Sequence, residues 1–143
     1  MAITSAVCST FKQELLKGTH DFDGGATYKI ALYTSGASMG ASTTAYSTTN
    51  ETSGTGYTAA GATLTSPAVA LSSTTAYIDF ADATWTTSSF TANGALIYRS
   101  DGSAPTNDAV CVIAFGGDYT STNGTFTIQF PAAAASTALL RLA

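Results

Sequence analysis

From Tyr28 to the C-terminus the hydrophobic period of the chain is two, and that alternation limits its possible folds more than any other feature. Tyr28, Ile30 and Leu32 alternate with Lys29, Ala31 and Tyr33, the pattern of a half-buried strand. Similar short runs recur at 68–71, 76–80, 83–86, 90–92, 95–98, 109–115, 125–130 and 139–142. Between them lie Asn93-Gly94, Asp101-Gly102, Gly116-Gly117 and Asn123-Gly124, dipeptides that supply the positive φ values of tight turns. Many short strands joined by tight turns predict a mainly β chain, an antiparallel β-sandwich of jelly-roll or immunoglobulin-like type with one N-terminal α-helix. The 143 residues suit one such domain, spanning 1–143. The run Val110-Cys111-Val112-Ile113-Ala114-Phe115 is apolar throughout, so it is expected to be a central strand covered on both faces, one cover being the helix.

That helix is predicted over about 3–17, because Ile3, Val7, Phe11 and Leu15 fall four apart with Cys8 between them. Thr4 or Ser5 is its expected N-cap and Gly18 its left-handed terminator. Residues 35–62 have no period: a Ser, Thr and Gly tract carries Met39, Tyr46, Glu51 and Tyr57 as isolated large residues. Structureless tracts of that length tend to be functional, and this one is read as a long loop or binding arm. The alanine-rich tract 131–137 is compatible with a helical turn or an extended linker.

Composition excludes several kinds of partner. Only 10% of the residues are charged, about 25% being usual, and 81 of the 143 are Thr, Ala, Ser or Gly. A net charge of -4 leaves little counterion-release attraction for nucleic acid or an anionic membrane. The charge-free stretches 52–78 and 119–140 are too dense in Ser, Thr and Gly to span a bilayer. The N-terminal stretch has no basic residue before its apolar part and fails as a secretory signal, so synthesis in a cytoplasm is expected. In that compartment Cys8 and Cys111 are expected to be free thiols, small buried hydrophobes.

No motif assembles chemistry. Gly36-Ala37-Ser38-Met39-Gly40 matches the G-x-S-x-G elbow, but no helical period follows Ser38 and the only histidine, His20, lies upstream. Asp21 and Asp23 with Gly24-Gly25 open like a calcium loop whose remaining ligands are missing, which leaves a polar turn. One histidine and two distant cysteines make no zinc pattern. Asp79 and Asp82 near Trp85 are read as exposed strand-end carboxylates rather than a glycosidase pair. The expectation is therefore no enzyme, with no catalytic residue, no metal and no cofactor.

Phe11-Lys12, Glu14-Leu15-Leu16-Lys17-Gly18, His20-Asp21-Phe22 and Ala31-Leu32-Tyr33-Thr34 occur in that order, followed by Thr44-Ala45-Tyr46, Thr49-Asn50-Glu51 and Ser53-Gly54-Thr55-Gly56-Tyr57. Then come Asp79-Phe80-Ala81-Asp82 with Trp85, Gly94-Ala95-Leu96-Ile97-Tyr98, and Phe130-Pro131 before a short ending at 139–142. Over nearly its whole length the chain resembles the small virion structural proteins of tailed bacteriophages. The resemblance implies a capsid cement or decoration protein, an all-β module on the outer capsid surface that bridges subunits of the major capsid protein and has no catalytic motif. A charge-poor, tyrosine-bearing surface suits such permanent contact. The expected partners are the major capsid protein and further copies of the chain, as a dimer or trimer. Expected docking residues are Met39, Tyr46, Glu51 and Tyr57 on the arm and Ile3, Val7 and Phe11 on the helix. The rival reading is a carbohydrate-binding or fibre-adhesion module of a phage particle, with Trp85 and neighbouring tyrosines as a stacking platform.

Overall fold

The computed structural model describes residues 2–101 and 107–143. In chain order the elements are β1 (Ala6–Val7), α1 (Ser9–Leu16), β2 (Tyr28–Tyr33), β3 (Ala62–Thr63), β4 (Ala68–Ser72), β5 (Thr75–Asp79), β6 (Ala83–Arg99), β7 (Ala109–Ile128) and β8 (Leu140–Leu142). A five-stranded sheet runs β1-β7-β6-β2-β3, and a three-stranded sheet runs β4-β5-β8. Every strand pairing is antiparallel. The chain is thus mainly β, two antiparallel sheets and one short helix in a β-sandwich.

Two strands dominate, because five of the predicted runs fuse. Runs 83–86, 90–92 and 95–98 become the 17-residue β6, and 109–115 and 125–130 become most of the 20-residue β7. Asn93-Gly94, Gly116-Gly117 and Asn123-Gly124 are therefore not hairpin turns. Two of them relieve register shifts: Phe115, Gly116, Gly117 and Asp118 lie opposite the single Asn93, with Gly116 at φ 82, and Asn123 at φ 47 marks a second bulge. A dipeptide that tolerates positive φ suits a bulge as well as a turn, so its presence does not distinguish them. Of Asp101-Gly102, Gly102 lies outside the described residues.

The predicted helix is halved. Residues 3–7 are extended instead: Ile3 is bridged to Met39, and β1 pairs Ala6 with Val112 and Val7 with Cys111. A spacing of four is even, so Ile3 and Val7 share a face in a strand as well as in a helix. The backbone decided for the strand because Thr4 N donates to Met39 O and Cys8 N to Val110 O, both at 2.9 Å. Thr4 and Ser5 do not cap the helix; Cys8 holds the N-cap position, and the Ser5 hydroxyl accepts from Ala114 N. The C-terminus closes as expected, with Gly18 at φ 71 donating to Leu15 O and Thr19 N to Glu14 O, a Schellman motif.

The core lies on and under the inner half of the large sheet. Cys8, Phe11, Ile30, Leu32, Leu96, Ile97 and Val110 are buried, and α1 packs on β7. β2 is buried on both faces rather than half-buried, and Phe80, which follows β5, lies against Tyr28 with ring centroids 6.1 Å apart. Each such aliphatic side chain contributes about 1.5–3 kcal/mol. Cys8 and Cys111 are both buried and free, and burial pushes their thiols up to about 11 and about 12. The 131–137 tract closes as a turn, Ala138 N donating to Ala134 O.

Gly61 shows how closely the irregular segment lies on the sheet. Its φ is 80, and a Cβ there would overlap the Ile30 carbonyl oxygen of β2. Gly61→Ala is expected to destabilise the fold by more than about 2 kcal/mol, because both the backbone conformation and the space exclude a side chain. The measurement is the urea midpoint at constant m-value; an unchanged midpoint refutes the close approach.

Candidate functional site

The segment 35–62 is irregular, as expected, but it is fastened along its length to the edge of the large sheet. β2 would otherwise end in unpaired backbone groups beyond β3. Instead Thr34 N donates to Asn50 O (2.9 Å), Thr52 N to Leu32 O (2.8 Å), and Leu32 N to the Tyr57 hydroxyl (2.9 Å). The same segment reaches β6, where the Thr52 hydroxyl donates to Thr91 O and Ser89 N donates to Thr55 O. Its function within the fold is to satisfy two strand edges.

Three of the expected docking residues meet in one inward-facing clasp. The Glu51 carboxylate accepts from the Tyr46 hydroxyl (2.7 Å), the Tyr57 hydroxyl (2.7 Å) and Ala60 N (2.8 Å). Tyr46 stacks on Tyr98 at 4.7 Å, and the Tyr98 hydroxyl donates to Ala60 O. Burial pushes the Tyr46 and Tyr57 hydroxyls far above their usual range, and the carboxylate they bond adds to it. Met39, Ile3 and Val7 are half-buried against the core and Phe11 is buried in it. The structure therefore brings Tyr46, Glu51 and Tyr57 together, joins Ile3 to Met39, and commits all seven side chains to contacts within the chain. Glu51→Ala leaves three donors without their acceptor and is expected to cost about 3 kcal/mol, with Glu51→Gln costing less. Thermal unfolding of the two variants beside the parent is the check; equal stabilities refute the clasp.

A second polar cluster ties α1 to the sheet. His20 Nε2 lies 2.7 Å from Glu14 Oε2 and Nδ1 lies 3.0 Å from the Tyr28 hydroxyl. Burial, then the nearby Arg99 guanidinium, hold His20 down to about 4, against the opposite pull of Asp108 and Asp101. The neutral ring thus donates Nε2–H to the carboxylate and accepts the tyrosine O–H at Nδ1. Arg99 donates to Asp101 and to the Thr19 carbonyl. Burial and the adjacent Glu14 carboxylate push Asp108 up to about 6. These two shifts oppose each other. Unfolding takes up a proton at His20 between pH 6.5 and about 4, so that contribution to stability is lost as pH falls. Unfolding releases a proton from Asp108 between pH 3.8 and about 6, so that contribution is lost as pH rises. In Asp108→Asn the second slope disappears, and urea stability is expected to rise from pH 4 to pH 6.5 more steeply than in the parent. Parallel profiles would show that Asp108 does not titrate there.

The other singled-out residues have structural places. Asp23 N donates to Asp21 Oδ1 in a local turn. Asp79 is buried rather than exposed, and Asp82 accepts from Phe130 N. Trp85 is only 6% exposed, edge-on to Phe90 and Phe126, and offers no face to a ligand. Ser38 is exposed beside a hydroxyl-lined hollow of about 450 Å³, while His20 is held by Glu14 and Tyr28. Among the described residues no group of three or more His, Cys, Asp or Glu can hold a metal ion, and no helix is long and apolar enough to cross a membrane.

What remains open to a partner lies elsewhere. In the small sheet, register places Leu71, Ala76 and Leu142 in one row and Val69, Ile78 and Leu140 in the next, all on one face. Ile78 anchors that face in the core, but Leu71 (72% exposed), Leu142 (60%) and Val69 (55%) overhang it. The second open feature is the outer edge of β7, beside a groove of about 420 Å³ lined by Ile113, Phe115, Tyr119, Phe126 and Ile128 among others. The alternation of 68–72 was visible in the sequence, but which face stays uncovered depends on where the small sheet meets the large one. Comparison of the chain with protein-family models, with curated proteins and with solved structures returns no match. Fold and surface together define a mainly β chain with an exposed apolar face on its small sheet and, among the described residues, an unpaired run along β7.

Proposed function

We propose that the chain is a non-enzymatic virion structural protein, a cement protein that binds the assembled capsid shell from outside. The observation that carries the reading is the overhanging apolar face of Val69 and Leu71 on β4 and Leu142 on β8, on either side of β5 on one face of the small sheet. Exposed apolar residues gathered on one face mark a surface that is covered in the working assembly. The occupant proposed is the major capsid protein, in line with the bacteriophage resemblance of the sequence. The scarcity of charge supports it, since a shell lattice presses on much of a cement protein and interface cores are depleted in charge. Binding to the closed shell in preference to free subunits shifts assembly toward the closed particle, and symmetric repetition multiplies modest affinities.

Docking through the small sheet also leaves the 35–62 segment to its work on the strand edges. Deleting that segment would remove the Glu51 clasp, so point variants on the overhang are the cleaner test. Leu71→Glu and Leu142→Glu sit at exposed positions and are expected to leave the fold intact while lowering occupancy on purified heads about tenfold each. Undiminished occupancy moves the contact elsewhere, and absence of the chain from intact particles overturns the role. The burial of Trp85 favours the cement reading over the carbohydrate one, whose stacking platform was Trp85 with neighbouring tyrosines.

A further inference from the structure

The chain spends a 28-residue segment covering the edges of β2 and the outer half of β6, yet among the described residues the longest edge of the same sheet is left bare. β1 is the strand on the far side of β7, and its register ends at Val112. One further bond, from Ala114 N to the Ser5 hydroxyl, extends that cover. From Phe115 to Ile128, among the described residues, no strand pairs with the outer edge of β7. That edge is about 45 Å long at about 3.3 Å per residue. Exposed edges are usually guarded by lysine, proline or inward charge. Residues 119–129 contain no Lys, Arg, Asp, Glu or Pro; the wide bulge at Phe115 to Asp118 stands at the end of the stretch, and a smaller one at Asn123 stands within it.

We propose that this edge pairs antiparallel with the same edge of a second copy, about a two-fold axis between Thr122 and Asn123. The occupant follows from the side chains. Read outward from that point, Thr122, Ser121, Thr120 and Tyr119 on one side mirror Asn123, Gly124, Thr125 and Phe126 on the other. A two-fold contact places each residue of one half opposite its mirror in the mate, so small polar residues meet small polar residues and Tyr119 meets Phe126 of the other copy at both ends. The faces agree as well. Tyr119, Ser121, Gly124 and Phe126 pair across β6 with Ala92, Phe90, Ser88 and Trp85, all on the buried face of that strand. Tyr119 is 55% exposed and touches Phe115 edge-on at 6.1 Å, and Phe115 is 6.4 Å from Phe126, so the mate's Phe126 adds to an aromatic row already standing in the groove. Charge points the same way. In a chain of net charge -4, two copies meet here without facing carboxylates, since Asp118 falls opposite Thr127 of the mate. The Asn123 bulge divides the new ladder into two short halves on either side of the axis.

This deepens the cement reading by naming its self-association edge, and it is tested without capsids so that the two can fail separately. Sedimentation equilibrium of the full chain is expected to show a reversible dimer at twice the 14.5 kDa chain mass. Tyr119→Lys, at an exposed position, is expected to raise the dimer dissociation constant about 100-fold or more with an unchanged circular dichroism spectrum. Register is read by cross-linking: a mixture of Thr120→Cys and Thr125→Cys chains forms a mixed disulfide dimer faster than either variant forms a dimer with itself. A chain that stays monomeric at millimolar concentration, a dimer indifferent to Tyr119→Lys, or cross-linking without that pairing preference overturns the proposal. So does a monomer whose Tyr119→Lys variant no longer binds heads, which would make the edge a capsid-docking strand.

Discussion

The structure depends on the pairing of backbone groups along β2. This strand lies next to the edge of the large sheet, between β6 and the two-residue β3, and five of its six residues are buried. A buried strand cannot leave N–H and C=O groups bare. Because β3 is only Ala62–Thr63, the remaining edge of β2 has to be completed by irregular chain, and Asn50, Thr52 and the Tyr57 hydroxyl complete it. Irregular chain has no ladder of its own to hold it in place. The Glu51 carboxylate supplies that hold, gathering Tyr46, Tyr57 and the Ala60 amide at one point. Stability of the strand and order of the loop are therefore one property.

The same logic explains how so few charges are used. Glu14, Arg99, Asp101 and Asp108, with His20, form one cluster that fastens α1 to the strand ends, and Glu51 fastens the loop. Polar groups in low dielectric are strong only when every partner is present, which favours a few complete networks over many surface pairs. The outer face of the β6–β7 ribbon carries threonine and serine, and there the Thr91 and Thr120 hydroxyls lie 2.7 Å apart. Against that hydroxylated background the exposed large apolar residues are Val69, Leu71 and Leu142 on the small sheet, Tyr119 on β7 and Leu16 at the end of α1.

Residue by residue, the β class, the core strands 28–33 and 110–112, the Gly18 terminator and the free buried thiols were legible in the sequence, because each follows from local period or backbone preference. The N-terminal helix was half legible: Phe11 and Leu15 lie on it, whereas Ile3 and Val7, at the same spacing, belong to extended chain held by Met39 and β7. The long strands were hidden by their own glycines, since Gly116-Gly117 and Asn123-Gly124 read as turns until a partner strand makes them bulges. Met39, Tyr46, Glu51 and Tyr57 read as anchors because a large residue in a periodless tract needs a contact, and the folded chain supplies contacts of its own to each of them.

Sequence alone thus determined what kind of secondary structure this polypeptide forms and how little charge it brings to any encounter, since both are sums over local residue properties. Tertiary structure decided which edges are covered and which faces stay bare, because those depend on long-range register. Neither the pairing of Glu51 with strand-bordering tyrosines nor the open run of β7 exists until residues far apart in the chain have met.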